Sequence, residues 1–266
     1  MALITFDSLS LAHGGFDVFS KLTGCIDNNS RIGLVGPNGI GKTSLLEVLA
    51  GVQDDSGGTL SISPDLRIGY LHQQATFTDK RNTLYDEVLT TFERVFEYEA
   101  QMRQLEEKMA DGKASEADYD AYGLLQEQVE IGGLYDYERR IERTLAGLGF
   151  SKAEYDKSVR ILSGGQKTRL MLAKLLLEQH DLLVLDEPTN HLDAEAVRWL
   201  ESTLSVWKGS LLIVSHDRYF LNRVVNRIWE LHREHLESFK GDYDAYLRQR
   251  SQRLDQVQAE WKAMME

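Results

Sequence analysis

From Leu3 to Leu11 polar and apolar residues alternate, Leu3, Thr5 and Asp7 against Ile4, Phe6 and Ser8, which predicts a half-exposed strand with antiparallel pairing. The pattern changes at Arg31. There the short apolar run RIGLV enters the Gly-rich GPNGIGKTS and then LLEVLAG, a strand, a loop and a helix stopped at Gly51. Three more strands are expected in LRIGYLHQQ (66–74), DLLVLDEP (181–188) and SLLIVSHD (210–217). The runs at Leu182 and Leu211 are apolar on both faces, as in parallel strands covered by helices, so the fold class is α/β with a mostly parallel core sheet. Between them the period lengthens. Val88, Phe92, Val95, Phe96, Met102, Leu105 and Met109 form a helical stripe from Leu84 that breaks at Asp111 and Gly112. Ser115 and Asp118 have capping-box spacing and open a second helix through Tyr122, Leu125 and Val129, so Phe92 to Ile131 reads as a helical hairpin. The chain ends in YLRQRSQRLDQVQAEWKAMME, helical by pattern, and no motif recurs.

The 266 residues accommodate one large domain with an insertion, and the 42% apolar and 27% charged residues are those of a folded globular chain. No apolar run is long enough to cross a bilayer, no secretory leader is visible in MALITFDSLS, and the lone Cys25 fits a reducing, cytoplasmic setting. A formal net charge of −12 argues against broad nonspecific nucleic-acid binding, which requires many phosphate charges to be offset. The hairpin alone carries roughly eleven acids against four bases, a negative solvated face.

Against that background four short stretches carry chemistry. Gly36, Pro37, Asn38, Gly39, Ile40, Gly41, Lys42 and Thr43, followed by Ser44, fit G-x-x-x-x-G-K-[ST] between a strand and a helix. Backbone N–H groups of such a loop surround phosphate oxygens, Lys42 reaches the β- and γ-phosphates, and the Thr43 hydroxyl is a Mg²⁺ ligand. Asp186 and Glu187 end a buried strand, the place where open α/β sheets bind ligands; Asp186 is expected to hold Mg²⁺ and Glu187 to act as general base toward water. Gln73, with Gln74 as competitor, is a candidate ligand of the metal or the water, and His216 a donor to the γ-phosphate. Ser163, Gly164, Gly165 and Gln166, in LSGGQ, have capping-box spacing ahead of a stripe of Leu170, Ala173 and Leu177, a bare helix N-terminus that two glycines leave open to a second phosphate.

In this order the motifs resemble those of the ATP-binding cassette superfamily over nearly the whole chain. DEPTNHLD (186–193), SHDRYFL (215–221) and FKGDYDAYLRQR (239–250) resemble its ABC-F group, proteins with two tandem cassettes that act on ribosomes. The resemblance implies a P-loop nucleotide-binding domain with an N-terminal antiparallel β subdomain and a helical signature subdomain, spanning 1–245. It implies an arm insertion at about 92–131 and an interdomain linker beginning at 246–266. It also implies ATP and Mg²⁺ as cofactors, ATP hydrolysis that needs a second cassette set head to tail, a ribosomal partner, an antibiotic-protection role left open, and no membrane insertion. An adenine-stacking ring is expected near the N-terminus; the aligned position is His13, with Phe16 nearby. Arg248, Arg250 and Arg253 are expected to approach RNA phosphate, and the acidic hairpin a basic ribosomal protein. Two alternatives compete: a nucleotide-binding subunit docked on a membrane transporter, and an ATP-gated clamp, which usually carries the very long coiled coils lacking here.

Overall fold

A computed structural model describes residues 2–71 and 82–265 of the chain. It forms two compact units, one of Met1–Gln73, His180–Asn190 and Val197–Glu266, the other of Gln74–Gln179 and His191–Ala196.

The first unit contains two sheets. Strands β1 (Ala2–His13), β2 (Phe16–Asp27) and β4 (Gly57–Ile62) form an antiparallel sheet in the order β2-β1-β4. The alternation expected from Leu3 to Leu11 does not hold throughout. Ile4 and Phe6 are buried, but the register shifts before Leu9, where Ser8 has φ 52°, and the inward face passes from even to odd numbers, Leu9 and Leu11.

The second sheet has the order β5-β6-β7-β3-β8-β9, from β5 (Ile68–Leu71), β6 (Leu182–Asp186), β7 (Ser210–Val214), β3 (Arg31–Val35), β8 (Arg227–Leu231) and β9 (Leu236–Lys240). All neighbours are parallel except the β8–β9 hairpin. Every residue of β6 and β7 is buried, which explains their lack of alternation. Helix α1 (Lys42–Leu49) follows β3, puts Leu45, Leu46, Val48 and Leu49 into the core shared with Leu182, Val184 and Leu212, and ends just ahead of Gly51, at φ 71°. The short α8 (Arg218–Val224) starts on an Asp217 cap. The terminal α9 (Tyr243–Met265) begins three residues before the expected boundary at 246 and seats Tyr246 edge-on against Phe239 of β9.

In the second unit the stripe from Leu84 is divided. Helix α2 (Leu84–Leu89), capped by Thr83, gives way to a 3₁₀ turn over Thr90–Phe92 before α3 (Glu93–Ala110). The hydroxyls of Thr90 and Thr91 donate to the carbonyls of Glu87 (2.7 Å) and Val88 (2.8 Å), competing with the helical ladder at the break. Helix α4 (Glu116–Gly132) opens on the expected Ser115–Asp118 capping box and returns along α3, where Lys108 meets Asp118 (3.4 Å) and Tyr122 donates to Glu106 (2.9 Å). Helix α5 (Tyr137–Gly147) packs against α6 (Gly164–Leu177), and α6 against α2. Lys174 of α6 reaches the fully buried Glu87 of α2 at 2.6 Å, and Asn82 donates to the same carboxylate at 3.1 Å. Asp193 caps the start of α7 (Ala194–Ser205), accepting from the N–H groups of Glu195 and Ala196.

Candidate functional site

Strand register brings three distant stretches of sequence together. Leu34 of β3 lies opposite Val214 of β7, and Val214 opposite Asp186 of β6. Since these neighbours are parallel and end level, Gly36, Glu187 and His216 all leave the sheet at one edge, the usual ligand-binding edge of an open α/β sheet. A cavity of about 400 Å³ opens there, lined by Asn38, Gly39, Gly41 and Lys42 through Ser44 of the Gly-rich loop and by Asp186, Glu187 and His216.

The loop owes its path to glycine. Gly41, which caps α1, has φ 101°, and a Cβ there would lie 2.6 Å from Cγ1 of Val18, so both backbone angle and space demand the missing side chain. Lys42 folds back over the loop, its Nζ donating to the carbonyls of Gly36 (3.0 Å) and Pro37 (3.1 Å). Ile40 turns inward and packs against the core, leaving its neighbours to face the cavity.

Beyond the loop, the Thr43 hydroxyl donates to Oδ2 of the buried Asp186 at 2.6 Å. Two hard oxygen donors so close together match what Mg²⁺ takes alongside water and phosphate, so the donor set fits that ion. Glu187 has φ 50°, left-handed backbone that a non-glycine residue enters at a cost of roughly 1–3 kcal/mol and that clusters at functional sites. Its N–H is fixed by the carbonyl of Val214 (2.8 Å) and its Oε2 accepts from the His216 N–H (3.1 Å). Oε1 is buried with no hydrogen-bond partner, the His216 Nε2 lying 3.4 Å away. Burial pushes the Glu187 carboxyl above its ordinary range and the Asp186 carboxylate adds to this, against the opposing pull of His216 and Lys42. A desolvated carboxyl with one unsatisfied oxygen, on a residue that lines the cavity, is suited to taking a proton.

Gln73, with Gln74, lies outside the described residues. His13 ends β1, exposed, with its Nε2 3.2 Å from the Gln53 amide rather than in the cavity lining; across the turn Phe16 is 81% exposed. Of the α9 arginines, Arg250 pairs with Glu230 and Arg253 with Glu237, each at 3.1 Å, so two of the three cations expected at RNA also meet carboxylates of the chain itself. Val18 was not anticipated, because bulges break the alternation of β2 that would have pointed it toward the loop.

In the second unit Ser163 caps α6. Its hydroxyl accepts from the Gln166 N–H (3.2 Å), and the Gln166 carbonyl oxygen accepts from the Ser163 N–H (3.0 Å). The helix end is therefore capped rather than bare. The Gln166 amide also donates to Glu154 (3.0 Å), whose carboxyl is held below its ordinary range first by the Ser151 N–H. A Cβ on Gly164 would meet nothing within 4 Å, whereas one on Gly165 would press on the His191 ring carbon at 3.1 Å. His191, with φ 69°, stands inside DEPTNHLD, where no role was expected of it.

Comparison with known proteins agrees with this geometry. The family model described as ABC transporter matches residues 19–190. The energy-dependent translational throttle protein EttA of Escherichia coli (strain K12) is 37% identical over 231 residues, 85% of this chain and 40% of that protein. The ABC transporter F family member 5 of Arabidopsis thaliana is 29% identical over 97% of this chain and 38% of its own length. Among solved structures, the complex of archaeal ribosomal stalk protein aP1 with archaeal ribosome recycling factor aABCE1 matches 95% of this chain and 42% of that one, with TM-score 0.63 and 24% identity, a likeness of fold. The chain spans between 38% and 51% of the length of the curated relatives it matches.

Proposed function

Because the chain belongs to the ATP-binding cassette family, we propose that it is one ATP-binding, ATP-hydrolysing cassette of an ABC-F protein that acts on the ribosome in translation or its regulation. The convergence of the Gly-rich loop, the Thr43–Asp186 pair, Glu187 and His216 on one sheet edge is the observation that supports it most.

In this reading the N–H groups of the loop bind the phosphates, and Lys42 exchanges its two loop carbonyls for β- and γ-phosphate oxygens. Thr43 and Asp186 hold Mg²⁺, which when bound offsets phosphate charge. Glu187 accepts a proton from the attacking water at Oε1, while His216 orients that carboxylate and donates to the γ-phosphate. Phe16, beside His13, offers an exposed aromatic face to the base. The capped end of α6, with Ser163, Gly164 and Gly165, serves a nucleotide held by a second cassette, so the catalytic cage is complete only when two cassettes meet. The cassette takes up 1–245, the α3–α4 pair at about 92–131 is the arm, and 246–266 starts the linker.

Sedimentation tests the partner. A Glu187→Gln chain, which binds ATP without consuming it, is expected to pellet with ribosomes in ATP and to leave them in ADP, and deletion of 92–131 is expected to weaken the association. Retention on membranes, or ribosome binding indifferent to nucleotide, would contradict the reading.

A further inference from the structure

The β8–β9 hairpin carries a cluster that nucleotide chemistry does not use. Arg233 and Glu234 make a two-residue turn, closed by the His232 N–H donating to the His235 carbonyl at 3.0 Å and tied down by the Ser20 N–H on the Arg233 carbonyl at 2.7 Å. Next along the ladder Leu231 faces Leu236, then Glu230 faces Glu237. Side chains alternate along a strand, so the two histidines and the two glutamates share one face and the leucines the other, toward the core. The His232 and His235 rings stack 4.3 Å apart at 7°, His235 Nε2 lies 3.4 Å from Glu237 Oε1, and one donor atom from each of His232, His235 and Glu237 falls within 4.8 Å of the others.

We propose that this corner is a binding site for a zinc-class divalent ion, with His232, His235 and Glu237 as its protein ligands. Tetrahedral zinc with bonds near 2.0–2.1 Å sets its donors roughly 3.4 Å apart. The His235–Glu237 pair already meets that separation. The parallel rings must fan apart so that both lone pairs converge, a rotation open to His235, which is exposed, and to the partly exposed His232 beside it. Imidazole suits zinc and its neighbours in the first transition row, whereas Mg²⁺ prefers oxygen, so this site and the Thr43–Asp186 pair select different ions. The fourth position falls to water, because Glu230 Oε1, 4.0 Å from His232 Nε2, is already held by Arg250 at 3.1 Å. Arg253 holds the other oxygen of Glu237 at 3.1 Å and competes with the ion for that carboxylate. Occupancy therefore weakens the Arg253–Glu237 ion pair between α9 and the hairpin.

The untagged full chain is titrated with Zn²⁺ against a chromophoric chelator, without nucleotide or Mg²⁺. One saturable equivalent is expected. Its affinity falls roughly tenfold or more in the double variant His232→Ala/His235→Ala and in Glu237→Gln, with far-UV circular dichroism and thermal midpoint retained. Arg253→Gln binds more tightly, because the competing cation is gone. No saturable equivalent in the unmodified chain, or one that keeps its affinity in the double variant and in Glu237→Gln, overturns the site. An Arg253→Gln chain that binds no more tightly overturns the competition for Glu237.

Discussion

Glu187 combines left-handed backbone, burial and an oxygen without a partner, three costs to folding that one residue rarely accumulates without a role. Its sign in a pH experiment follows from burial. The folded state raises the carboxyl's affinity for a proton, so the favourable contribution of the protonated group is present below the unfolded value and is lost as pH rises through the folded one. Glu187→Gln removes that loss. In thermal unfolding without nucleotide, the variant is expected to melt above the parent at neutral pH and to converge with it at acid pH; a gap of opposite sign would show that burial does not dominate. The same shift is expected to place the acid limb of kcat/KM for ATP, which reports the free enzyme, above the ordinary carboxylate range, which a pH–rate profile checks. Much at this scale was legible in the sequence. Ser115 with Asp118 and Ser163 with Gln166 form the capping boxes that their spacing announced, because a cap is a local bond between residues three apart. The strain at Glu187 and the pairing of Arg250 and Arg253 were not legible, since both depend on chain brought up from far away.

Elements differ in how faithfully they follow their pattern. Strands β6 and β7 were readable because burial on both faces leaves an unbroken apolar run. In β1 the alternation misleads past Phe6, because a bulge reverses the inward face while the residues stay strand-like. The stripe from Leu84 gave the helices but not their break, which the Thr90 and Thr91 hydroxyls mark. Nor does a periodic stripe foretell a buried ion pair: Glu87, fully buried on α2, meets Lys174, whose side chain is 12% exposed. Removing Lys174 takes a cation away from a buried carboxylate, a loss of up to about 3–5 kcal/mol, whereas replacing both residues by apolar ones recovers part of it. Urea unfolding of Lys174→Met, against the double variant Glu87→Leu/Lys174→Met, is expected to show the single change as the more damaging. A double variant whose loss equals the sum of the losses of Lys174→Met and Glu87→Leu would mean the pair carries little coupling.

The whole molecule carries a net charge of −12, and no helix among its described residues is long and apolar enough to cross a membrane. Its parallel sheet explains how one loop and two strand ends, each separated by more than twenty residues in sequence, supply a single cavity. That gathering was foreseeable in outline, because motifs at the ends of buried parallel strands share an edge. The resemblance also implied a separate helical subdomain, but not where it ends, since α7 starts in one unit and continues in the other. On the proposed reading the loop binds the nucleotide and Glu187 performs the proton transfer. ATP affinity and steady-state turnover of Glu187→Gln, measured beside the parent with both paired to a second cassette, test these roles directly. Affinity close to the parent's and turnover lower by about 10²–10⁴ are expected. Turnover left intact, or affinity lost in step with it, would remove Glu187 from its role.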